Sequence, residues 1–132
     1  MTVFADTSAL FPVVDRNDAD HQRAREQLRQ LRLDGALLMT SNYVLLETSA
    51  LLQRRLGMEA WRDFETNVVP LLRVVWVDEA GHRAGVQAAL AADRRKLSLV
   101  DCVSFQLMRE TGVGTAFCFD YHFREQGVEV LP

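Results

Sequence analysis

Hydrophobic and polar positions fall in blocks along this chain, and the blocks switch between strand-like runs and helix-like periods. Val3-Phe4-Ala5 is a short apolar run stopped by Asp6-Thr7-Ser8, which predicts a strand and then a helix cap. Residues 18–33 are charged, with Ala24, Leu28 and Leu31 at spacings of four and three, and predict an amphipathic helix ending at Asp34-Gly35. Ala36 to Met39 reads as a second short strand. Thr40-Ser41-Asn42 offers an N-cap for a strongly apolar helix, Tyr43 to Leu56, closed by Gly57. Another helix is expected over about 58–69, and the β-branched run Arg73-Val74-Val75-Trp76-Val77 reads as a third strand. An Ala-rich helix covers 79–93. Ser98 caps a further one to about Glu110, ended by Gly112 and Gly114. Thr115 to Phe119 is a fourth strand, stopped by Asp120, and Val128 to Leu131 is a short last one.

Strands separated by helices imply βαβ units, a parallel sheet and helices on both of its faces. In such α/β sheets ligands bind beyond the carboxyl ends of the strands, where strand order reverses. Two strands here end in an aspartate, Asp6 and Asp120. If those strands are neighbours, both carboxylates meet in one crevice.

Composition narrows the class. The 132 residues are one domain's worth, 1–132, and 48% hydrophobic with 25% charged is globular. The net charge of −3 excludes nucleic-acid binding by bulk positive charge, leaving a local patch or a bound metal ion. Of the 15 basic residues only Lys96 is a lysine. Arginine suits bidentate phosphate contacts, although codon bias gives the same excess. Cys102 and Cys118 stand in apolar runs without CxxC spacing and read as small core residues in a reducing compartment. With no basic, apolar leader and no apolar stretch near ~20 residues, a cytoplasmic protein is expected.

Four acids follow or interrupt apolar runs: Asp6, Glu47 in Tyr43-Val44-Leu45-Leu46-Glu47-Thr48, Asp101 in Ser98-Leu99-Val100-Asp101-Cys102, and Asp120. Each has an ordinary alternative. Ser98 and Asp101 are spaced as a capping box. Asp6 and Asp120 suit strand-end turns. Glu47 could pair with an arginine from elsewhere, but its helix is apolar nearly all round, so burial is expected, and a buried charge needs a partner or a metal. Together the four point to one site. Two carboxylates at ~4 Å repel by about 4 kcal/mol at an effective dielectric of 20, so a cluster calls for a cation. Oxygen ligands without nearby Cys or His suit Mg²⁺ or Mn²⁺, whose commonest work is on phosphates.

These residues carry a family resemblance. Asp6-Thr7-Ser8-Ala9-Leu10, Thr40 through Thr48, Leu97 through Ser104 and Phe119-Asp120-Tyr121-His122-Phe123 together resemble a PIN domain, and more narrowly the VapC toxins of toxin–antitoxin modules. The likeness runs from about residue 3 to 131. It implies a three-layer α/β/α sandwich on a parallel sheet of order 3-2-1-4-5, and a Mg²⁺- or Mn²⁺-dependent endoribonuclease. It places the acidic tetrad on Asp6, Glu47, Asp101 and Asp120, with Ser8 supporting the metal site. The mechanism it implies is hydrolysis of an RNA phosphodiester leaving 5′-phosphate and 3′-OH ends. It also implies a homodimer and a VapB-like antitoxin whose tail blocks the groove.

Several features have two readings. Arg94-Arg95-Lys96 is a candidate RNA-backbone patch or a solvated helix end. His122 is expected as a helix-start hydrogen bonder rather than a catalyst, and His21 and His82 as solvent-facing. Trp61 and Trp76 are expected in the core or a dimer interface. Leu45, Leu46, Leu51, Leu52 and Trp61 give more apolar surface than one small sheet needs, which suggests a dimer. Among rivals, a haloacid-dehalogenase-type phosphatase wants a second Asp where Ser8 stands, and a response-regulator receiver wants paired acids and a lysine that are not clear here. A dinucleotide binder lacks GxGxxG. An orphan RNA-processing nuclease or a non-catalytic binding module of the same fold stays open.

Overall fold

A computed structural model describes residues 1–132. Five strands form one parallel sheet: β1 (Thr2–Ala5), β2 (Leu37–Ser41), β3 (Leu72–Val75), β4 (Thr115–Phe117) and β5 (Glu129–Leu131). Their order is β3-β2-β1-β4-β5, so the sequence-based expectation of neighbouring first and fourth strands holds. The register pairs Phe4 with Ala116 and Ala5 with Phe117. Seven helices make the outer layers: α1 (Thr7–Val14), α2 (His21–Leu33), α3 (Asn42–Arg55), α4 (Met58–Asp63), α5 (Glu79–Ala92), α6 (Leu99–Thr111) and α7 (His122–Glu125). Val3, Phe4, Ala5, Ala116 and Phe117 are fully buried, because a central parallel strand is covered on both faces. The edge strands β3 and β5 hold no fully buried residue.

Element boundaries depart from the expectations where side chains capture backbone groups. β4 stops at Phe117, not Phe119, because the Phe119 N–H donates to Ser8 Oγ at 3.0 Å instead of a neighbouring strand. α2 begins at His21 rather than residue 18, since the Asp20 N–H turns back onto the Asp18 carboxylate at 2.8 Å. The helix expected over 58–69 ends as an α-helix at Asp63 and loosens into a π-helical turn, Phe64–Val68, and a 3₁₀ turn, Val69–Leu71. Pro70 has no N–H with which to extend the α ladder.

The larger correction concerns α3. It is not apolar on all sides of the fold: only the stripe Val44, Thr48 and Leu52 is buried, while Leu46 is 72% exposed. The surplus apolar surface is mostly absorbed. Leu52 is in the core, and Leu45, Leu51 and Trp61 pack against it. Trp76 is 75% exposed and so is no core residue. Both cysteines are free and buried, and no helix is long and apolar enough to cross a membrane.

Candidate active site

The turn from β1 into α1 builds the first part of the site. Asp6 leaves the strand extended and caps α1, its Oδ2 accepting from the Ser8 N–H at 3.1 Å and from Ser8 Oγ at 2.7 Å. The same Ser8 hydroxyl accepts the Phe119 N–H. Ser8 therefore ties the end of β1 to the loop after β4, one residue from Asp120. Asp6 is 4% exposed. Burial pushes its carboxyl up to about 7 against the two Ser8 hydrogen bonds, and the charges of Asp101 and Glu47 push the same way.

The second part comes from two helix starts. Asp101 sits three residues into the cap of α6, and the capping box is real: Asp101 N–H donates to Ser98 Oγ at 3.0 Å, and Ser98 N–H to Asp101 Oδ2 at 3.2 Å. The capping and site readings are thus compatible, since a carboxylate has lone pairs to spare. Burial still raises the Asp101 carboxyl, and Asp120 adds to the rise. Asp120 Oδ1 accepts the His122 N–H at 2.9 Å and starts the short α7. Asp101, Asp120 and His122 each place one donor atom within 4.8 Å of the others.

Glu47 enters from α3. The sequence predicts it buried, and it is half-buried, because it stands beside the buried stripe of its helix rather than on it. Desolvation raises its carboxyl, the Thr7 hydroxyl opposes this, and Asp101 and Asp120 raise it further. Asp6 and Glu47 stand outside the Asp101–Asp120–His122 triad but within electrostatic reach of it. All four acids are thus linked by like-charge coupling at the carboxyl end of the sheet. No arginine or lysine forms an ion pair with any of them. Uncompensated carboxylates at this density, with one imidazole, fit a divalent cation of the hard or borderline kind.

Two features escaped the sequence. His122 is buried at 6% exposure and belongs to the donor cluster, whereas its position two after Asp120 suggested only a helix-start role. The second is a basic groove. An open groove of about 1280 Å³ flanks α2 and is lined by Arg16, Arg23, Arg25, Arg29 and Arg32 against the acids Glu26 and Asp63. That is a local excess of positive charge on an acidic chain. It was hidden because α2 also carries the core residues Ala24, Leu28 and Leu31, which made it read as an ordinary amphipathic helix. Arg23 at its start stacks over the Phe119 ring, 5.3 Å from the centroid, next to Asp120. Arg94, Arg95 and Lys96 are all exposed, and Arg94 is paired with Glu125 at 2.8 Å. His82 faces solvent as expected, whereas His21 is half-buried with Nδ1 against the Pro12 carbonyl at 2.7 Å.

The family profile described as PIN domain matches residues 3–129. The 23S rRNA-specific endonuclease VapC20 of Mycobacterium tuberculosis is 36% identical over 134 residues, 98% of each chain. The crystal structure of that protein, described as a sarcin–ricin loop cleaving toxin, superposes with a TM-score of 0.84 at 34% identity over 98% of this chain and 99% of that one. FitAcB from Neisseria gonorrhoeae shares the fold at a TM-score of 0.69 and 18% identity, over 100% of this chain and 97% of that one.

Proposed function

The chain belongs to the PIN-domain family, and from that premise we propose that it is a divalent-metal-dependent endoribonuclease, the toxin of a VapB-paired module. The observation that supports the chemistry most is the set of four mutually coupled carboxylates without a single arginine or lysine partner. Asp6, Asp101 and Asp120 hold the ion, Mg²⁺ or Mn²⁺. When bound, it supplies Lewis-acid stabilisation of the phosphoryl group. Ser8 fixes Asp6 and the loop of Asp120 relative to each other. Glu47, half-exposed and with a raised carboxyl, ligates the ion as well or orients the attacking water as its proton acceptor.

The RNA backbone runs along the basic groove of α2. Arg25, Arg29 and Arg32 share one face at spacings of four and three, and Arg16, Arg25 and Arg32 make no salt bridge. The Arg94-Arg95-Lys96 patch is a secondary contact, weakened by the Glu125 pairing. The protein acts in the cytoplasm as one nuclease domain over 1–132. It pairs as a homodimer, with Leu46 the one exposed member of the five apolar residues that suggested it.

The test is cleavage of purified 23S rRNA, chosen because the relative is named for it. The expected result is a discrete cut with Mn²⁺ or Mg²⁺, none in EDTA, and 5′-phosphate ends. Cleavage that persists in EDTA, or cyclic-phosphate ends, would exclude this mechanism.

A further inference from the structure

We propose that His122 supplies a nitrogen donor to the divalent cation held by Asp101 and Asp120, making a mixed nitrogen–oxygen site that takes Mn²⁺ in preference to Mg²⁺. The inference rests on the reading above that the carboxylates hold a cation.

His122 is 6% exposed, and neither of its ring nitrogens has a hydrogen-bond partner. An imidazole buried with both nitrogens unmet is costly, and such a group calls for a ligand. The other two histidines are satisfied: His21 Nδ1 meets the Pro12 carbonyl, and His82 Nδ1 meets the Tyr43 hydroxyl. His122 Nδ1 lies 2.9 Å from Asp120 Oδ1 without the directionality of a hydrogen bond. That separation is the edge expected between two donors at right angles on one ion, about 3 Å for bonds of about 2.1 Å. Asp101 completes three donors within 4.8 Å of one another.

The ring is also held in place. The next residue, Phe123, is fully buried and packs edge-on against Phe105 at 4.9 Å between centroids, with Phe4 at 6.4 Å. On the other side the Tyr121 ring lies 4.4 Å from the imidazole. A donor fixed in this way belongs to the site whether or not an ion is bound. Imidazole favours transition metals, whereas Mg²⁺ favours carboxylates and water, so one nitrogen among oxygens shifts the preference toward Mn²⁺.

The test uses the full chain loaded with MnCl₂ and pulsed electron paramagnetic resonance, which detects nitrogen bonded to Mn²⁺ without any turnover. The expected spectrum shows ¹⁴N modulation that converts to the ¹⁵N pattern when the protein carries ring-¹⁵N histidine. His122→Gln abolishes the modulation and weakens Mn²⁺ binding by at least about tenfold, with a smaller loss for Mg²⁺. Because His122 is buried, His21→Gln/His82→Gln is the companion variant. It leaves His122 the sole histidine, alters only residues outside the Asp101–Asp120–His122 cluster, and keeps the modulation. Bound Mn²⁺ with no histidine nitrogen overturns the inference and leaves the carboxylate site standing. Nitrogen coupling that survives His122→Gln also overturns it. Failure to bind stoichiometric Mn²⁺ at all removes the cation reading and this inference with it.

Discussion

Asp6 carries the most perturbed carboxyl of the four, and its consequences run in two directions. Its folded-state value of about 7 lies above the ordinary 3.8, so the protonated form is the one the metal-free fold prefers. The stability this provides is complete below about pH 4 and is lost as pH rises through 7. At one pKa unit per about 1.4 kcal/mol, the loss is on the order of 4 kcal/mol. Thermal unfolding of the metal-free protein should therefore show falling stability from pH 4 to 8. Asp6→Asn removes the Asp6 part of that slope, leaving the parts due to the raised Glu47 and Asp101 carboxyls, and is the more stable protein at pH 8. Mn²⁺ raises the wild-type melting temperature more at pH 8 than at pH 5. A flat wild-type profile would mean that Asp6 is not held in a desolvated pocket. Ser8 is the second residue to test. Ser8→Ala deletes the hydroxyl that bridges Asp6 and the Phe119 N–H, so Mn²⁺ affinity should fall about 10- to 100-fold while stability drops by only about 1–2 kcal/mol. A titration of Mn²⁺ into both proteins, beside their melting curves, separates these effects.

At the scale of elements, the packing of α5 on α6 leaves no room for a larger residue at their crossing. Gly85 lets the two helices meet: a Cβ there would stand 2.4 Å from Cγ2 of Val103, a β-branched side chain stiff at χ1 in a helix, and 3.4 Å from Leu99 Cδ1. Gly85→Ala, despite its better helix propensity, should destabilise the fold by about 1–3 kcal/mol in chemical denaturation. A stabilised variant would show that the two helices can part freely. The order of elements was legible because strand and helix periods alternate cleanly and caps such as Ser41 and Ser98 stand where they act. Less legible were the places where tertiary bonds override local preference. The end of β4 is set by Ser8, 111 residues away in sequence, and no window of local sequence contains that bond. Glu47 was mis-set for a related reason. Apolar residues all round α3 suggested burial all round, yet the fold covers only the Val44–Thr48–Leu52 stripe. Asp6, Asp101 and Asp120 were legible because an acid that interrupts an apolar run is conspicuous. His122 was not, because an imidazole beside a helix-starting aspartate looks the same in sequence whether it is bonded or orphaned.

For the whole molecule, charge distribution matters more than net charge. On the proposed function, a chain of net −3 would hold phosphate through a cation and through the basic groove along α2. Replacing Arg16, Arg25 and Arg32 with glutamine should lower the salt dependence of RNA binding by about 0.7–0.9 in log–log slope for each phosphate that the groove no longer neutralises. The same number of substitutions at Arg54, Arg83 and Arg109, outside the groove, should leave the slope nearly unchanged. Equal effects from both sets would reduce the groove to bulk charge. Above all, the proposed function makes the four acids one metal-holding, RNA-cutting unit. Whether they do is decided by Mn²⁺-dependent cleavage of 23S rRNA by the wild type beside Asp6→Asn, Glu47→Gln, Asp101→Asn and Asp120→Asn, each first shown to be folded. Every one of the four should lose activity by about 100-fold or more, in keeping with residues that act together. Full cleavage by any folded member of the set would refute the unit.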